Sequence, residues 1–295
     1  MAFYLQTSGN NPAGPFAVWQ VDATEAKRID VTESPSSQIR AEPGQDALKA
    51  LREHHLLAVA FFHELELSPG EYYPGMARPV AGESLGRNQD RSDSARNQRT
   101  STTGQLHALV QQLEQICRVV QPIDTNLQAF GHEIRNVLIL ACTEVEAQWK
   151  AILKANAARA ESTKDYVQLA LPMRLSEYSV DFPYYPWMSE IRPFENWRSA
   201  TNTPTRDLRW YDAYNKIKHD RESNFKQASL DNAFQALAGF FVMLCGQYGW
   251  DFALTGDAAS RAFLRLKRHP RWTFSEYYVP PYGAALSPKV YKFSS

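Results

Sequence analysis

A mainly α fold, a helical bundle core with short β elements at the N- and C-termini, is what this 295-residue sequence predicts. Three observations carry that expectation. A stripe of apolar residues at helical spacing, from Phe130 through Ile134, Val137, Leu138, Ala141, Val145 and Trp149 to Leu153, persists for about six turns. The stretch Asn224 to Tyr248 is apolar nearly all round in its second half, as a helix at the centre of a core would be. Near the two ends, Phe16 to Val21, Trp272 to Val279 and Val290 to Phe293 alternate like strands.

The elements follow in order. After the strand at Phe16–Val21, Ala47 to Leu67 predicts a helix, with Leu48, Leu51, Leu56, Val59 and Phe62 as its stripe and Pro69-Gly70 as its stop. Residues 68–102 are poor in aliphatics and rich in charge, Ser, Asn and Gln, so they predict a flexible loop. Helices are then expected over Thr103–Val120, from Asp124 or Thr125 to Ala157, from Ser162, from about Thr205, over Asn224–Tyr248 and over Asp257–Arg268. Between them, Asp181 to Trp197 is dense in proline and aromatic rings and predicts an ordered loop packed on the core. The whole reads as one domain over 1–295: β-rich segments at about 1–40 and 270–295, the loop at 68–102, and a helical core at about 103–268.

Composition narrows the function classes. Thirty-two basic and thirty-two acidic residues cancel, which argues against a dedicated non-specific nucleic-acid binder but leaves room for a local basic patch. Cys117, Cys142 and Cys245 lie far apart inside apolar patterns and predict buried, reduced thiols, so a cytoplasmic location is expected. The N-terminus has no signal-peptide pattern, and no apolar run is long enough to span a membrane, so no membrane partner is expected. Phosphate-loop, dinucleotide, zinc-helix and nucleophile-elbow motifs are all missing, and neither metal nor cofactor is implied.

Chemistry concentrates in one run, Trp210 to Arg221, read WYDAYNKIKHDR. Helical spacing sets Tyr214, Lys218 and Arg221 on one side and Asn215 and His219 on an adjacent line. His219 is the candidate general base for a ribose 2′-hydroxyl, since imidazole titrates near neutrality, and Asn215 its orienting or phosphate-binding partner. Lys218 and Arg221 are the candidate charge stabilisers. The bland alternative is a helix end, with cations near its negative pole and a polar link to the next helix. A second polar set on the long helix, Arg135 and Glu144 beside Asn136 and His132, would join the substrate-binding residues Lys218 and Tyr214 if that helix packs alongside. Glu144 would then orient the imidazole or pair with Lys218; the alternative there is an ordinary surface stripe.

Tyr214-Asn215-Lys-Ile-Lys-His219 resembles the signature of the HEPN superfamily, R-x(4–6)-H with a polar residue such as Asn after the arginine. The resemblance extends over residues 105 to 248. Tyr214 stands at the arginine position, and Arg221 is the candidate replacement from the following turn. The same segment is similar to KHDR-containing tails of uncharacterised bacterial proteins. The HEPN resemblance implies a helical, dimeric protein of a bacterial defence or toxin module, with RNA and a partner protein of that module as its partners. It also implies metal-independent RNA cleavage leaving 2′,3′-cyclic phosphate ends. A HEPN-like binding or assembly subunit without catalysis, and an unrelated helical scaffold, are the alternative expectations.

Overall fold

Strand alternation near the N-terminus builds more sheet than the sequence announces. Strands β1 (Ala2–Thr7), β2 (Phe16–Val21), β3 (Glu25–Arg28), β4 (Gln38–Arg40) and β5 (Phe61–Glu64) form an antiparallel sheet in the order β4-β3-β2-β1-β5. Register pairs Tyr4 with Trp19 and Leu5 with Val18, so successive side chains go to opposite faces. On one face Tyr4, Trp19, Val21 and Ala26 pack against Ala47 and Leu51 of helix α1 (Ala47–His54). On the other, Leu5 and Val18 pack with Leu65, Ala81 and Val279. The computed structural model describes residues 1–8, 16–30, 37–55, 60–82, 86–87, 90, 92–198, 201–250, 252, 258–282 and 285–293.

The mainly α expectation is therefore overturned. Of the described residues 47 % are helical and 16 % strand, and a five-stranded antiparallel sheet occupies the N-terminal part. The helix expected over Ala47–Leu67 ends at His54, and Phe61–Glu64 pairs with β1 instead; residues 56–59 lie outside the described residues.

The chain divides into two compact units. The first comprises Met1–Tyr73, Arg78–Gln89 and Arg271–Lys289. Besides the large sheet it holds β6 (Glu71–Tyr72), β7 (Arg78–Pro79) and β8 (Gly86–Arg87), with β7 and β8 paired antiparallel. The C-terminal segment returns to it: β11 (Ser287–Pro288) runs parallel to β6, and Tyr278 bridges Val80. The expected strands at 272–279 and 290–293 are not formed; Phe274–Glu276 is a single 3-10 turn. Arg78, only 4 % exposed, bonds Glu66 at 2.8 Å and lies over the rings of Tyr73, Trp272 and Tyr278. A buried guanidinium is tolerable here because a carboxylate and three aromatic faces replace its water.

The second unit, Pro74–Ala77, Asp90–Pro270 and Val290–Ser295, is helical. It contains α2 (Asp93–Val119), α3 (His132–Ala155), α4 (Thr163–Tyr166), α5 (Pro204–Asp207), α6 (Arg209–His219), α7 (Arg221–Asn224), α8 (Leu230–Tyr248) and α9 (Ala258–Phe263). Strands β9 (Ser179–Asp181) and β10 (Arg265–Arg268) pair antiparallel, so the helix expected to reach Arg268 stops at Phe263. Helix α8 is buried on nearly every side and packs along α3, with α2 and α6 beside it. The segment expected as a loop over 68–102 ends in the first turns of α2, which Ser92 caps through the Ala95 amide. Trp149 on α3 centres an aromatic cluster of Tyr166, Phe194, Trp197, Trp210 and Tyr211. Trp197 and Trp210 donate to the carbonyls of Pro204 and Pro193, which fastens the proline-rich loop to the core.

Candidate functional site

The polar run lies on α6, whose amphipathic pattern decides what it can do. Trp210, Tyr211, Ala213, Tyr214 and Ile217 are buried, while Lys216, Lys218 and His219 fill the last turn at its negative end. The helix stops at His219. Asp220 turns its backbone N–H to Lys216 and accepts the Ser223 amide at 3.2 Å, so it caps α7.

Where α6 meets α3, a polar contact adjoins the Trp149 cluster. The Tyr211 hydroxyl donates to Glu146 Oε1 at 2.6 Å, and Lys150 Nζ lies 3.4 Å from Glu146 Oε2. Burial, then the bond to Glu146, holds the Tyr211 phenol far above its ordinary range, so it is a fixed donor. Lys218 Nζ donates to the Tyr214 hydroxyl at 3.3 Å and sits over that ring, and it lies close enough to feel the charges of both Glu146 and Lys150. The Tyr214 contact raises the Lys218 pKa. Burial pulls Lys150 down, but Tyr166 and Glu146 outweigh it and leave its pKa raised. Lys150 thus pairs with the Glu146 carboxylate, which also accepts Tyr211, while Lys218 is held on Tyr214.

The expected residues are only partly brought together. Asn215 donates to the Tyr211 carbonyl at 2.9 Å and lies beside the Tyr211 hydroxyl; among the described residues no hydrogen bond joins it to His219. His219 and Arg221 are exposed, and among the described residues neither has a hydrogen-bond or ion-pair partner. Tyr214, at the arginine position of the HEPN-like pattern, is buried. Glu144 is half-buried and its carboxyl is raised by that burial, yet it stands two residues from Glu146. Two residues turn a helix by about 200°, so the side of α3 that meets α6 carries Glu146. Arg135 bonds Asn136 at 3.0 Å near the start of α3, about 16 Å along the axis from Glu146 by the helical rise.

Glu146, Lys150, Tyr166 and Tyr211 are site residues that the sequence does not single out. One signal does point to them: Glu146 and Lys150 stand at i and i+4 around Trp149, a residue the apolar stripe places in the core. In the aromatic loop, Phe194 and Trp197 are buried and Tyr185 packs on Phe234 and Phe263, while Tyr184 and Trp187 stay about half exposed. A depression of about 440 Å³ beside this loop contains Glu190, Arg192, Arg209 and Asp231. Ion pairs join Arg192 to Glu195, Arg209 to Asp231, and Glu190 to Lys267 and Arg268, while Asp124 and Asp207 also line it, without an ion pair among the described residues. Among the described residues no three His, Cys, Asp or Glu side chains gather as metal ligands, and no helix is long and apolar enough to cross a membrane.

Comparison with known proteins finds no matching family model, no matching curated protein and no matching solved structure.

Proposed function

We propose that the helical unit binds RNA across the α3–α6 surface and does not cleave it, as a HEPN-like binding or assembly subunit without catalysis. The observation that carries this reading is the hydrogen bond from Asn215 to the Tyr211 carbonyl. It turns one N–H of the amide expected to orient His219 back to the helix backbone, and the arginine position is filled by a buried tyrosine. What remains at the surface includes the cations Lys150, Lys218 and Arg221, with His219 beside them and the acids Asp220 and Glu222 flanking Arg221. Cations of this kind neutralise phosphates and release counterions without acid–base chemistry. The three cysteines are free and buried, in keeping with a cytoplasmic protein.

The test is fluorescence anisotropy with a labelled single-stranded RNA, in EDTA, at about 50 and about 200 mM salt. Retention that weakens with salt is expected. Lys150→Glu with Lys218→Glu should weaken it by about tenfold or more, and His219→Ala should leave it within about twofold. Cleavage that is abolished by His219→Ala would restore the nuclease reading. Absence of RNA retention at either salt sinks both.

A further inference from the structure

A second cationic surface adjoins that patch where α4 and α5 begin; Tyr166, which ends α4, lies under Lys150. The first turns of these helices border a cavity of about 490 Å³ whose lining includes Ser162, Thr163, Lys164, Thr203, Thr205 and Arg206. This volume is in the range of small-molecule sites. The lining carries two cations and no carboxylate. Nearby carboxylates face other work: Asp165 accepts the amides of Glu161 and Ser162 and the Ser162 hydroxyl, and Asp207 accepts the Thr203 hydroxyl. Neither Lys164 nor Arg206 has an ion-pair partner among the described residues, although Lys150, Arg159, Arg192, Arg209 and Arg265 of the same unit do.

Hydroxyl directions complete the picture. Thr205 donates to Thr163 Oγ1 at 2.9 Å, which leaves the Thr163 proton free to point at an acceptor in the cavity. The walls are held from behind by the Trp197 indole on the Pro204 carbonyl at 3.0 Å and by the mutual Ser162–Asp165 cap. An open depression lined by an ammonium, a guanidinium and a hydroxyl donor, with no carboxylate in its lining, suits a compact dianion.

We propose that this cleft binds the phosphate group of a small organic phosphomonoester. The proposal does not rest on RNA binding at α3–α6. Shared chemistry makes free phosphate the alternative source of the ligand, and the titration separates the two. Calorimetric titration uses three probes on the full chain: ribose 5-phosphate, ribose and inorganic phosphate. Ribose 5-phosphate should bind, ribose should not, and inorganic phosphate should bind more weakly. Inorganic phosphate binding as tightly as the ester keeps the oxyanion site and removes the organic ligand from the proposal. Lys164→Glu and Arg206→Glu should each raise Kd by about tenfold or more, and Thr163→Val by a few-fold with no change of charge. Both charged positions are exposed, and an unchanged circular-dichroism spectrum and melting point establish that the variants fold. Lys218→Glu, which leaves Lys150 in place over the α4 ring, should leave this binding intact, so failure at one surface is distinguishable from failure at the other. Equal binding of ribose and its phosphate, no binding of any probe, or unaltered Kd in both charge variants overturns the proposal.

Discussion

At the scale of single residues, the largest change is in what Asn215 does. Its place four before His219 on a helix is legible in the sequence, but side-chain direction is not. The amide can reach back to the carbonyl of Tyr211 as easily as forward to an imidazole, and the buried Tyr211–Glu146 pair decides the matter. Two histidines outside the motif have a clearer consequence. His55 is held below its ordinary pKa by burial and by the neighbouring charges of His54 and Arg28; His63, beside the Thr7 hydroxyl, is lowered by burial. His55 also lies edge-on to Trp19 at 5.6 Å, in the core of the sheet. Because the folded values are below the unfolded one, the unfolded chain takes up protons first as pH falls. Stability is therefore complete above about pH 6.5 and declines as pH falls through that value toward the folded pKa values. Thermal melts from about pH 7 to about pH 5 should show a falling Tm, with a shallower slope in His55→Gln and His63→Gln. Equal slopes in wild type and variants would refute the assignment.

At the scale of elements, helices with a clear apolar stripe are legible and short polar strands are not. β3 reads Glu-Ala-Lys-Arg and β4 Gln-Ile-Arg; neither has the composition of a strand, and β3 exists because the apolar β2 offers its edge, while β4 adds to β3 in turn. Phe61–Glu64 reads as helix because its aromatic pair fits a helical stripe as well as a strand, and only pairing with β1 separates the two. The start of α2 escapes notice for the opposite reason. Its first turns are almost wholly exposed, so no burial signals the helix, and local bonds such as the Ser92 cap and the Arg96–Asp93 pair support it. Helix α8 offers a sharp test of packing against propensity. A methyl group at Gly239 would lie 3.1 Å from the Trp210 ring, which Phe194 and the Pro193 carbonyl hold in place. Alanine gains up to about 1 kcal/mol of helix propensity, but overpacking costs about 1–3 kcal/mol. Gly239→Ala should therefore lower the urea midpoint; a raised midpoint would mean that the ring yields freely.

At the scale of the whole molecule, neither unit is a continuous run of sequence. The sheet-bearing unit needs Arg271–Lys289, whose Tyr278 exchanges backbone bonds with Pro79 and Ala81 and whose β11 pairs with β6. The helical unit needs Pro74–Ala77, where the Asn156 amide holds the Pro74 carbonyl and Ala77 bonds the Gly246 carbonyl. Such partners are distant in sequence and leave no periodic trace, which is why pattern reading offers only one domain with two β-rich ends. Truncation before Arg271 should expose the apolar group formed by Leu67, Tyr72 and Val80, whose fourth member is Tyr278. Dye binding to exposed apolar surface should rise, and melting should broaden or split. A sharp wild-type melt in the truncated chain would show that the returning segment is dispensable.

The four residues 74–77 also limit how this architecture can be handed on. A single uninterrupted run of codons can carry α2 to α9, but it leaves behind the short stretch that Asn156 and Gly246 grip. Recombination at two points would deliver helices with unmatched amide and carbonyl groups at that seam. The two units are therefore expected to travel through genomes as one heritable block, changing by substitution and not by shuffling.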